Sequence, residues 1–108
     1  MNEKIIIRKD FSDSPGARYC KDGPWSGEKF YKELLKPKFE KVKKNGTKLE
    51  IDLDGVWGYP SSFVSGSFGK LAIENSSDEV LSKILFVSEE SETRKKRIIS
   101  EILNPTRK

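Results

Sequence analysis

The 108-residue chain has no histidine, a single cysteine and a single methionine. Without histidine the commonest general base and the commonest metal ligand are both missing, and imidazole chemistry is excluded. The lone Cys20 cannot close an internal disulfide. No apolar run is long enough to span a bilayer and no signal-peptide core is evident, so the expected location is the reducing cytoplasm, away from the membrane. No serine is accompanied by a histidine or by a motif-placed lysine that would activate it, so nucleophilic catalysis lacks its base. Glu28 lacks a second carboxylate at a defined separation. Neither an enzyme nor a cofactor is expected. Asp52 and Asp54 suit a hard cation by ligand type, but at alternate positions of a strand they are read as its wet face.

What the chain does have is charge, unevenly spread. Residues 1–48 hold 13 basic and 7 acidic side chains, a net +6, and residues 49–93 hold 2 and 9, a net −7. Residues 94–108 hold 6 and 1, a net +5. An acidic middle between basic flanks is first a self-complementary arrangement; the alternative is a nucleic-acid surface. One domain over residues 1–108 is expected, large enough to bury roughly two thirds of its unfolded surface.

Residues 49–72 change period halfway. Leu49, Ile51 and Leu53 alternate with Glu50, Asp52 and Asp54, as in a strand with one wet face. Gly55 and Gly58 mark a turn, after which Val64, Phe68, Leu71 and Ala72 recur at helical spacing with no charge from Tyr59 to Gly69. Upstream, residues 4–8 read as a first strand, and residues 10–25 as a long loop rich in Ser, Asp, Gly and Pro. Ser26 caps a predicted helix reaching about Lys44, stopped by Asn45-Gly46 and kinked or split after Lys36 by Pro37. Ser76 to Glu79 read as a turn and residues 83–88 as a third strand. Ser88 or Ser91 caps a last helix anchored by Ile98, Ile99, Ile102 and Leu103. The Arg94-Lys95-Lys96-Arg97 tract is read as a solvated helical turn.

Strand and helix alternate three times, which predicts an α/β fold with a small, mainly parallel or mixed sheet. A central parallel strand covered on both faces would be continuously apolar, so the alternation at Leu49 to Asp54 places the helices mostly on one face. Open first and third strands offer an edge for a homodimer, with no edge-protecting residue evident on residues 83–88.

This layout and its turns resemble the STAS-like domain-of-unknown-function family of small bacterial and phage-borne proteins. The matching motifs are Pro15-Gly16 with Arg18, Gly23-Pro24 with Ser26-Gly27-Glu28 and Phe30, Asp52-Leu53-Asp54-Gly55, Gly58-Tyr59, Ser61-Ser62-Phe63 and Phe68-Gly69. The resemblance implies the fold of anti-sigma factor antagonists. In those proteins a strand leads to an Asp-Ser-Ser or Asp-Ser-Gly loop at a helix start, and a serine there is phosphorylated by a histidine-kinase-like ATPase. It places Ser61, with Ser62 beside it, as the phosphoacceptor candidates, and Pro60 where the aspartate would be. Phosphoacceptor and simple N-cap are thus both open for Ser61. It also implies a separate ATPase partner.

In open α/β sheets ligands bind outside the carboxyl ends of the strands. There the loop before Ser26 and the loop before Ser61 would offer two helix N-termini to an anion or a partner. Arg18, Trp25, Ser26, Gly27, Glu28, Tyr59 and Phe63 are the expected contact residues. The function expected is a non-enzymatic regulatory module that binds a partner protein through Asp10 to Glu28 and Tyr59 to Phe63. The alternative is a nucleotide or nucleic-acid binder using Lys29, Lys32, Lys36 and Arg18, with Trp25 as a stacking platform.

Overall fold

In the computed structural model, which describes residues 3–16, 21 and 25–105, three strands lie parallel in one sheet in the order β1-β2-β3. They are β1 (Glu3–Ile6), β2 (Leu49–Asp52) and β3 (Ile84–Val87), in register with Ile5 opposite Ile51 and Ile51 opposite Phe86. When parallel strands are laid down in sequence order, right-handed crossovers return every connection on the same face. The burial shows the result. Leu49, Ile51, Ile84 and Phe86 point into the core, while Lys4 pairs with Glu50 at 3.2 Å on the other face and Leu85 stays 46% exposed. The one-faced arrangement expected from the alternation of residues 49–54 is therefore what the chain adopts.

After β1 comes a single helical turn, α1 (Ile7–Asp10), so the first strand stops at Ile6 and not at Arg8 as expected, and the expected loop starts as a helical turn. Its Asp10 carboxylate accepts the Ile6 N–H at 2.7 Å and so ties off a backbone donor of an edge strand.

The first crossover is one long helix with a widened turn in its middle. Ser26 caps α2 (Gly27–Phe30), a π turn follows at Tyr31–Leu35, and α3 (Lys36–Asn45) ends at Gly46, whose φ of 70° is the left-handed stop that glycine favours. Of the two expected effects of Pro37, a kink or a split after Lys36, the split does not occur. The proline ring would crowd the carbonyl four residues back. The turn just before it opens out, with the Lys36 N–H reaching the Tyr31 carbonyl five residues away, and the run continues.

The second crossover repeats the device: α4 (Ser61–Val64), a π turn at Ser65–Gly69 and α5 (Lys70–Glu74). Phe30, Phe39, Phe63 and Phe68 are fully buried between these helices and the sheet. Each such side chain contributes about 1.5–3 kcal/mol.

Residues 76–79 are not a free turn. The Ser76 hydroxyl accepts the Glu79 N–H at 3.1 Å and starts α6 (Ser77–Lys83), a capping pattern of Ser three residues before Glu. The last helix, α7 (Glu92–Leu103), is capped by Ser91, and Ile98 and Ile102 pin it to the same core. Among the described residues no helix is long and apolar enough to cross a membrane.

Candidate functional site

Beyond the carboxyl ends of the strands, the loop of residues 53–60 is held by four separate clamps. Arg8 pairs with Asp52 at 3.2 Å and donates to the Asp54 carbonyl at 3.1 Å. The Asp54 carboxylate accepts the N–H groups of Glu89 and Glu90, at 2.8 and 3.1 Å, and the Ser88 hydroxyl at 3.3 Å. Burial alone would raise the Asp54 pKa, but these donors and the nearby Arg8 outweigh it and hold the carboxyl below its usual range. Successive backbone N–H groups form an anion seat, and here the chain's own carboxylate fills it. Both aspartates weighed for a hard cation are thus committed to donors, and no cluster of metal-ligating side chains exists among the described residues.

The third clamp is Tyr59, whose buried hydroxyl donates to the Leu53 carbonyl at 2.8 Å. Burial pushes its pKa well up, against the pull of Arg94, so it stays a neutral donor. The fourth is Arg94 on α7, which donates to the carbonyls of Val56 at 2.6 Å and Trp57 at 2.9 Å and lies 5.8 Å from the Tyr59 ring centre. The Trp57 N–H in turn donates to the Asp13 carbonyl at 2.8 Å.

Between this loop and α7 runs a groove of about 520 Å³, lined by Trp57, Tyr59, Ser61, Arg94, Arg97 and Glu101 among others. A second cleft of about 420 Å³ shares Trp57, Tyr59 and Arg97 with it and extends toward Pro15 and Pro60. Trp57 is 83% exposed at their junction.

Ser61 lies on the groove wall. Pro60, with φ −58° and ψ 145°, takes the N-cap position and its carbonyl accepts the Val64 N–H at 3.1 Å, so Ser61 is the first helical residue and not a cap. Ser61 is exposed and Ser62 half-buried, and among the described residues neither hydroxyl has a partner. Ser26 behaves in the opposite way. It is fully buried and accepts the Lys29 N–H at 3.1 Å, the role expected of it as a cap.

The remaining predicted contact residues divide between surface and interior. Gly27 and Phe63 are interior: a Cβ on Gly27 would sit 2.5 Å from the Phe63 carbonyl oxygen and 3.1 Å from Gly66, so the glycine allows α2 and the second crossover to touch. Trp25 is 40% exposed, edge-on to Phe11 at 5.4 Å and under the Lys29 ammonium at 4.8 Å. Glu28 pairs with Lys32 at 3.5 Å. Phe11 stacks in turn on Phe30 and Phe63, and Phe63 on Tyr59, so a continuous run of rings links Trp25 to the groove. Arg18 lies outside the described residues, as does Cys20.

Among the groove residues that escaped the reading of the sequence are Trp57, Arg94, Arg97 and Glu101. The spacing of the two arginines, three apart on a helix, is the signal that puts both on one side of α7.

No curated protein and no solved structure gives a significant match. The family model of the STAS-like domain of unknown function matches residues 26–94, from the Ser26 cap through the whole parallel sheet beyond β1 to Arg94 at the start of α7. Ser61, Tyr59 and the Asp54 seat all fall inside that match, which takes in more than half of the chain, and the chain belongs to the STAS-like domain of unknown function family.

Proposed function

We propose that this chain is a non-enzymatic regulatory module that binds a partner protein at the groove between the residue 53–60 loop and α7, under control of phosphorylation at Ser61. The observation that carries this reading is the contrast at the helix starts. Ser61 presents on a groove wall, beside an exposed tryptophan, a hydroxyl without a partner among the described residues, while Ser26 is sealed inside the fold. A phosphate on the first residue of a helix meets unpaired N–H groups and the positive end of the dipole, so the fold tolerates it. It adds about two negative charges to the wall, and the surface offered to a partner changes sign. The family resemblance makes a histidine-kinase-like ATPase the first partner to seek, with Ser62 as the neighbouring acceptor.

The nucleic-acid alternative draws less support. Lys29, Lys32 and Lys36 each lie against a group of the chain itself, respectively the Trp25 ring, Glu28 and the Tyr31 ring.

The deciding experiment is co-purification of the tagged chain from its native host, with mass spectrometry reading both bound proteins and phosphate on Ser61 and Ser62. Recovery of an ATPase, with its binding changed by Ser61→Asp, is the expected result. Equal binding by wild type, Ser61→Asp and Ser61→Ala overturns the reading.

A further inference from the structure

The partner surface has a chemistry of its own, set by Trp57 and Arg97. We infer that the groove mouth receives a short acidic segment of the partner, with an aspartate or glutamate carboxylate paired to Arg97 and a large apolar side chain packed on Trp57. This rests on the docking reading above and adds to it the identity of what docks.

Charge is the first argument. Two guanidinium groups, Arg94 and Arg97, line the groove against one carboxylate, Glu101, and neither arginine forms an ion pair among the described residues. Arg94 spends its N–H groups on the Val56 and Trp57 carbonyls, so it is fixed in place and its positive charge is left for the groove. Arg97 is exposed and free to turn toward a ligand. A carboxylate matches its planar fork in a bidentate pair.

Rigidity is the second. Trp57 shows 83% of its surface to solvent, yet its backbone is fixed on both sides, by the Asp13 carbonyl at its N–H and by Arg94 at its carbonyl. An exposed aromatic ring on an immobile backbone gives up little freedom on binding, and tryptophan with arginine is the pairing that dominates interface energetics.

Volume limits the ligand's length. The two clefts, of about 520 and 420 Å³, hold a few side chains. At the strand-end edge Asp54, Glu89 and Glu90 come together, and residues 49–93 carry nine acidic against two basic side chains. A long polyanion such as a nucleic acid laid over that edge would meet carboxylates. A short segment with one or two carboxylates reaches the arginines without crossing it.

The test is selection from a displayed library of random peptides against the full chain. A synthetic copy of an enriched peptide is then titrated by fluorescence polarisation. Enriched peptides are expected to place Asp or Glu beside an aromatic or large aliphatic residue. Arg97→Glu and Trp57→Ala should each weaken the peptide at least about tenfold. Lys96→Glu makes the same charge change on the exposed side of α7 and should leave binding within about twofold. All three sites are at the surface, and thermal melting checks that each variant is folded. The inference is overturned by enrichment without acidic bias, by no enrichment at all, or by Lys96→Glu weakening binding as much as Arg97→Glu. Competition by a single-stranded oligonucleotide at the peptide's own affinity would transfer the groove to nucleic acid. The peptide selection needs no native partner. A partner retained by Arg97→Glu and Trp57→Ala but lost by Ser61→Asp therefore sinks this inference alone. Peptide selectivity without any native partner would leave the groove chemistry standing and remove the regulatory reading.

Discussion

The two crossovers begin at the same edge of the sheet and begin differently. At the first, a buried serine caps the helix and a glycine beside it is pressed onto the neighbouring helix, so that start is a joint. At the second, a proline takes the cap position, the serine after it faces a groove with no partner among the described residues, and an exposed tryptophan stands alongside. Similar residues at similar places in the topology thus do two jobs, and what separates them is which hydroxyl the backbone has already claimed. A joint is sensitive to volume and insensitive to ligands. A free wall is the reverse.

Substitutions that exchange these sensitivities would break the comparison. The largest effect is expected at Gly27→Ala, because the new Cβ meets backbone on both sides and something must shift. Overpacking of this kind costs about 1–3 kcal/mol, and chemical denaturation should place this variant in the upper half of that range. Asp54→Asn ranks second, at about 1–2 kcal/mol, since it removes charge from a carboxylate that accepts two N–H groups and a hydroxyl. Its signature is in the pH profile. The folded carboxyl titrates below its ordinary value of 3.8, so its contribution is complete above that pH and is lost as the pH falls through the folded value. Wild type should lose stability on acidification over that window more steeply than Asp54→Asn.

Ser26→Ala should cost about 1 kcal/mol in denaturant titrations, the usual loss for an N-cap. The matched change at the other start, Ser61→Ala, should stay within about 0.5 kcal/mol of wild type, because the hydroxyl has no hydrogen bond among the described residues. Equal losses at Ser26 and Ser61 would erase the distinction between joint and wall. A wider gap would sharpen it.

How much of this was written plainly in the chain depends on the range of the interaction. The alternation of residues 49–54 announced the one-faced sheet, because a two-residue period is a local consequence of the pleat. Ser26 and Asn45-Gly46 announced helix ends through their own side chains or backbone freedom, and for the last helix the choice between Ser88 and Ser91 is settled only by the structure, at Ser91. Ser76 and Glu79 carried an equally local signal for α6 that reads as a turn only if the pair is not taken together. The groove was illegible for another reason. It exists because Arg94 reaches 38 residues back to the Val56 carbonyl. Until that contact is known, the basic tract looks like solvated surface and Trp57 like one more loop residue. The π turns are a third case. Pro37 signals a disturbance, but whether a helix breaks or widens is decided by the packing of Tyr31 and Leu35 into the core, and both are buried.

Those widened turns make helix phase a matter of counting. Every residue added to or taken from a helix rotates the turns on its N-terminal side by about 100° relative to those on its C-terminal side. The π turn at Ser65–Gly69 therefore sets the bearing of Ser61 around the axis, while Lys70–Glu74 stays seated in the core. Deleting one residue from it would restore a plain α-helix and swing the Ser61 hydroxyl off the groove wall, together with Val64 on the same turn, without substituting any residue of the wall. The address of that hydroxyl is thus kept in the length of a neighbouring segment as much as in the serine.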